Sequence, residues 1–202
     1  MIVHSFLKTL AVLALNGLVL ASCAPTPQPE PARQPAREST ISPRLPGRIV
    51  VTDGHGDIHM ALAGNAQCAA TSGAETAAAL ASTNAIRAQR GLAPLSVDPR
   101  LQRAAESHAC EMARRGTMTH VGGKSSGPMA RIKQLGYKPR MAAENIAGGR
   151  FDLARVQSEW VNSPNHRANL LLPQTRHFGL GRAVSADGKT VFWSAVFAQP
   201  KG

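Results

Sequence analysis

The opening segment MIVHSFLKTLAVLALNGLVLASC separates itself from anything that folds after it. One lysine, Lys8, precedes an apolar run, and small residues follow up to Cys23. That order makes residues 1–22 an export signal, and Lys8 and Asn16 interrupt the run too much for a good spanning helix. The end, LASC, has the form of a bacterial lipobox, which predicts a diacylated Cys23 as the mature N-terminus. The alternative is ordinary signal peptidase cleavage nearby, or an uncleaved anchor. Acyl chains contribute ~0.8 kcal/mol per buried methylene, so two or three of them would hold the chain on a membrane. In a Gram-negative cell, Ala24 rather than an aspartate after the cysteine favours the outer membrane, facing the periplasm.

Residues 24–48 are rich in proline. Each proline removes a backbone donor and biases its predecessor towards extended conformations, which predicts a semi-rigid tether. The stretch IVVTDGHGDIHM follows, with His55, Asp57 and His59 alternating. On a strand all three would point one way and could chelate a metal; exposed linker is the preferred reading. Residues 23–66 are thus expected to be tether and linker, and residues 67–202 one folded domain.

An exported chain is an oxidised one. If Cys23 takes lipid, Cys68 and Cys110 remain as an even pair, read as a bridge from the segment before the first helix to the second helix. Two buried thiols are the alternative. The formal net charge is +11 and aromatics are 4%, so base-stacking platforms are not expected and no specific nucleic acid is predicted. A positive surface suits anionic envelope polymers or headgroups, although the arginines are scattered rather than blocked.

Within the domain, AETAAALASTNAIRAQRG reads as a helix with Leu80, Ala81, Asn84, Ala85 and Ala88 on one face. Asp98 caps a second helix with Pro99 at its first position and Gly116 after it. Its inner stripe places His108 on an apolar face, as a satisfied core histidine. GPMARIKQLG is a third, short helix, and RMAAENIAGG a strand leaving into a glycine loop. A fourth helix carries Val156 and Trp160 inward, and Ser163 caps a short fifth one. Two final strands flank a tight turn at Asp187 and Gly188. No P-loop, GxGxxG or CxxC is present.

Four of these segments in order, TNAIRAQRGLAPLSVDPRLQRAAESHACEMARRGTMTHVG, AAENIAGG, EWVNSPNHRANLL and FGLGRAVSADGKTVFWSAVFAQ, resemble the CAP superfamily of cysteine-rich secretory, antigen 5 and pathogenesis-related proteins. The resemblance implies a three-layer α-β-α sandwich with a small, mostly antiparallel sheet and a cleft over it. It also implies that His120, Glu144 and His166 meet in that cleft. The family's second glutamate belongs three residues after the tryptophan, where Ser163 stands, and this weakens general acid–base catalysis.

Two imidazoles and one carboxylate can hold a zinc ion, or another divalent metal, and leave a position open. Alternatively, the imidazole of His166 hydrogen-bonds Glu144 and serves as scaffold. The expected function is a membrane-anchored envelope protein that binds a lipid, polysaccharide or peptide ligand in a cleft, with or without a metal. A metal-dependent hydrolase and a structural module for anionic polymers are the rivals. The first test concerns anchoring: Cys23→Ala should release the protein from membrane fractions or stall its processing. A processed variant that stays membrane-bound like the wild type refutes the lipobox.

Overall fold

The two glycines of FGLGRA are where the layers meet most closely. A Cβ on Gly179 would lie 2.3 Å from the carbonyl carbon of Leu101, and one on Gly181 2.2 Å from that of Ala105. Only a strand face without side chains lets a helix backbone come so near, and the helix answers with Ala104, Ala105 and Ala109. This contact seats helix α2, Pro99–Arg115, on strand β6, His177–Val184.

The computed structural model describes residues 49–51 and 56–202. The export segment, Cys23, the proline-rich stretch and His55 lie outside the described residues. Besides α2 and β6, the chain forms β1 (Ile49–Val51), β2 (Ile58–His59), α1 (Gly73–Ala88), β3 (Ser96–Val97) and β4 (Thr117–Met118). It continues with α3 (Pro128–Gln134), β5 (Pro139–Gly149), α4 (Leu153–Asn162), α5 (Pro164–Leu170) and β7 (Val191–Pro200). The main sheet runs β1-β5-β7-β6-β3, and β2 and β4 form a small separate pair. The long pairings β5–β7 and β6–β7 are antiparallel, and the short flanking ones are parallel.

Alternation along β7 divides the core. Val196 and Ala198 meet Leu101, Ala105 and Ile132, while Phe192 meets Met112, so α2 and α3 cover one face. Trp193, Ala195 and Phe197 meet Ala79, Val156, Trp160 and Leu170, so α1, α4 and α5 cover the other. The three-layer α-β-α sandwich and its mostly antiparallel sheet are therefore present.

Most local signals act as their chemistry predicts. Asp98 caps α2 by accepting from the Arg100 amide, and Gly116 ends it in the left-handed region at φ 63°. In the β6–β7 turn the Asp187 carboxylate accepts from the Lys189 and Thr190 amides, and Gly188 takes φ 65°. Ser163 precedes α5 but makes no side-chain capping bond.

Two expectations are corrected. The linker reading gives way to strands at Ile49–Val51, which pairs with Met141–Ala143 of β5, and at Ile58–His59, which pairs with β4. The inner face of α1 is also displaced: Thr76, Ala79, Thr83 and Arg87 are buried, with Leu80 only partly so. Arg87 lies inward because four carbonyls receive it. Its Nε donates to Ala93 O, Nη1 to Leu170 O and Leu172 O, and Nη2 to Thr175 O, at 2.8 to 3.4 Å.

Cys68 and Cys110 are bridged, with Cα atoms 5.2 Å apart and a sequence separation of 42. A closed loop of that size corresponds to about 4 kcal/mol in the chain-entropy account. Unfolding the exported protein without reductant and alkylating it should therefore leave both cysteines unmodified. Reduction should lower the urea-unfolding free energy by up to that amount, and two alkylated thiols before reduction would refute the bridge.

Candidate functional site

Glu144 has no solvent exposure, and neighbours on four elements converge on it. It lies on the face of β5 that α2 and α3 cover. Its Oε1 accepts from Arg131 Nη2 at 2.6 Å and from the Ser194 hydroxyl at 3.0 Å. Its Oε2 accepts from His120 Nδ1 at 2.9 Å and lies 3.8 Å from His108 Nε2. Arg131 also donates through Nη1 to the His120 carbonyl at 3.0 Å, so α3 holds both ends of the Glu144–His120 pair.

Charge follows from these contacts. Burial alone would push the Glu144 carboxyl up, but the Arg131 guanidinium and then the His108 and His120 imidazoles hold it well below the usual carboxylate range. An ionised carboxylate only accepts, so His120 Nδ1 is the donor, and a neutral imidazole then carries its lone pair on Nε2. His108 Nε2 is fixed in the same way by donating to Thr119 O at 2.7 Å.

The next residue of β5 faces the opposite layer. Asn145 Nδ2 donates to the His166 carbonyl at 3.0 Å, and Asn169 Nδ2 donates to Asn145 Oδ1 at 2.9 Å and to the Glu144 carbonyl at 3.2 Å. Two asparagines thus bind α5 to β5. Among the described residues β1 pairs with β5 only as far as Ala143, so the outer edge beyond it meets side chains instead of a strand. Asn169 takes the Glu144 carbonyl there, and Trp160 Nε1 takes that of Ile146 at 3.3 Å.

Beside this edge lies a cleft of about 310 Å³. Ile58, Met118, Ile146, Phe151 and Trp160 give it apolar walls, and His166, Ser163 and Glu159 supply polar groups. His166 is half-buried in the first turn of α5.

Glu144 and His120 meet directly. His166 is tied to β5 through its backbone carbonyl, which accepts from Asn145 Nδ2. Both oxygens of Glu144 are engaged, which suits it to orient His120 rather than to ligate beside it. Among the described residues no group of three or more His, Cys, Asp or Glu is arranged to hold a metal ion.

Arg131, Ser194, Asn145 and Asn169 were not expected as site residues. A charged residue beside the buried Met129 and Ile132 is the one sequence sign of an inward guanidinium in α3. His108 was expected as a satisfied core histidine, and it does lie buried on the α2 face, but against the Glu144 cluster.

The sequence profile of the cysteine-rich secretory protein family, CAP, matches residues 80–197. The chain belongs to this family. An uncharacterized protein of Bacillus subtilis, YkwD, is 34% identical over 115 residues, which is 57% of this chain and 43% of its own length. The uncharacterized membrane protein YlbC of the same organism is 32% identical over 99 residues, 49% of this chain and 29% of its own length. The chain thus spans less than half of either relative.

Among solved structures, an outer surface protein of Borrelia burgdorferi superposes with a TM-score of 0.59 at 24% identity, covering 65% of this chain and 96% of that one. An extracellular SCP-domain protein of Bacillus anthracis gives 0.56 at 26%, covering 62% and 40%. Both share the fold described above.

The charge cluster predicts a specific acid response. A carboxyl whose folded pKa is depressed contributes stability that is full above its unfolded value of about 4.3 and is lost as pH falls towards the folded value. Glu144→Gln leaves Arg131 buried without its counter-charge, which should cost about 3 kcal/mol near neutral pH. Urea midpoints should show this loss, together with a shallower further decline below about pH 4.3 than in the wild type. Equal acid slopes in the two proteins would refute the assignment.

Proposed function

We propose that this CAP-domain protein acts at the bacterial cell envelope and binds an amphipathic ligand in the cleft beside β5. One observation carries the reading: the cleft walls are apolar, while the ionised carboxylate nearby is fully buried and engaged by Arg131, Ser194 and His120. Such a site desolvates an apolar group well. Glu144 itself is not available there as an acid or base, because it is ionised at neutral pH and fully buried.

His166 and Glu159 give the ligand's polar end two places to settle. A lipid-like chain fits these walls better than a polysaccharide, whose hydroxyls would remain unpaired against Ile146 and Met118. The envelope location draws on the export segment and lipobox, and on relatives described as membrane or outer-surface proteins.

Titrating the protein with decanoate while following tryptophan fluorescence tests the reading, because Trp160 lines the cleft. Saturable binding is expected. Phe151→Ala should weaken it about tenfold, equivalent to roughly 1.4 kcal/mol of lost apolar contact. Absent binding, or binding untouched by Phe151→Ala, refutes the cleft as its site. Turnover of casein or peptidoglycan fragments that His166→Ala abolishes would establish the hydrolase instead.

A further inference from the structure

A second concavity, of about 640 Å³, lies between α2, α3 and the turn at residues 122–125. Its lining includes Arg114, Arg115 and Lys124 against one carboxylate, Glu111, together with Arg131, which is paired with the buried Glu144. We propose that this groove binds phosphate-bearing anions, at a place separate from the cleft beside β5.

The walls are built rather than loose. Gly122 and Ser125 exchange backbone hydrogen bonds at 2.9 and 3.3 Å, closing the turn. The Gly123 amide donates to Glu111, and Gln134 Nε2 donates to the Lys124 carbonyl at 3.1 Å. Arg131 Nη1 donates to the Ser125 hydroxyl at 3.1 Å. These bonds come from both flanking helices, so the backbone that carries Lys124 is pinned at the groove.

The charge there is unevenly matched. Glu111 is held by the Gly123 amide and lies 3.8 Å from Arg115. Arg114 and Lys124 are exposed, and neither side chain makes a hydrogen bond or ion pair among the described residues. Cations in the last turn of α2 do offset the negative end of the helix dipole. That accounts for Arg114 and Arg115 but not for Lys124, which sits on a separate turn.

Arg131 is accounted for by Glu144. That side chain is only 7% exposed and lines the groove, yet its Nε is buried with no hydrogen-bond partner. Its guanidinium is paired with Glu144 at 2.6 Å, so the cations left to an anion in the groove are Arg114 and Lys124. Guanidinium forks match the oxygens of phosphate, and the volume admits more than a single phosphate group, so linked phosphates suit it best.

Two probes separate the sources of that chemistry. Inorganic pyrophosphate, titrated calorimetrically into the full-length chain at low salt, represents soluble or polymeric phosphate. Phosphatidylglycerol vesicles, compared with phosphatidylcholine ones, represent a lipid headgroup. The difference between the vesicle types reads charge recognition independently of any acyl anchor. Saturable binding of either probe is expected, weakening as salt rises. Arg114→Ala and Lys124→Ala should each reduce affinity at least fivefold, and Arg90→Ala, an exposed cation outside the groove, should leave it unchanged. Both substituted positions are exposed, so the variants retain the fold. Binding of neither probe, or an equal loss in Arg90→Ala, overturns the proposal, and it does so without touching decanoate binding in the cleft.

Discussion

A carboxylate with no water around it must be answered by the protein, and Glu144 is answered from four directions. Arg131 comes from α3, Ser194 from β7, His120 from the segment after β4, and His108 from α2. Ion pairs of this kind contribute little net stability once desolvation is counted, but removing one member is expensive. The cluster therefore acts on arrangement. A shifted α3 or a slipped β5 would bury a charge without its partner. Each of the four elements thus has one acceptable position on the sheet, and His120 is presented in one tautomer.

The seating of α2 on β6 supplies the geometry that this cluster needs. Gly179 and Gly181 admit the helix backbone to the strand, and Ala104 and Ala105 keep it there. His108 lies one turn further along the same helix face and so reaches the neighbourhood of Glu144. Packing by small residues and the polar cluster are two halves of one layer. A methyl group added at Gly181 would lift α2 and pull His108 away from Thr119 and Glu144.

Much of this was legible in the chain. Asp98-Pro99 and Gly116 bracket α2, and Asp187-Gly188 marks the β6–β7 turn, because caps and tight turns depend on local chemistry. The cysteine pair followed from counting. The inner face of α1 was not legible. Threonines and an arginine are read as outward-facing, and only the carbonyls of residues 93, 170, 172 and 175, distant in sequence, make Arg87 an inward residue. The short strands at residues 49–51 and 58–59 were missed because two or three residues carry no period of their own. The site was half legible. Resemblance marked His120, Glu144 and His166, but the partners that decide what Glu144 can do lie on other elements.

The side chains along the outer edge of β5 bear on how copies of the chain meet one another. An uncovered row of carbonyls is a template on which another chain can lay down a strand, and this is one route to fibrous aggregation. Trp160 and Asn169 occupy the carbonyls of Ile146 and Glu144. They make the edge chemically deaf to a neighbour's backbone, while the apolar space beside it stays open to a small guest. The same two side chains thus keep protein out of a place that remains hospitable to something smaller.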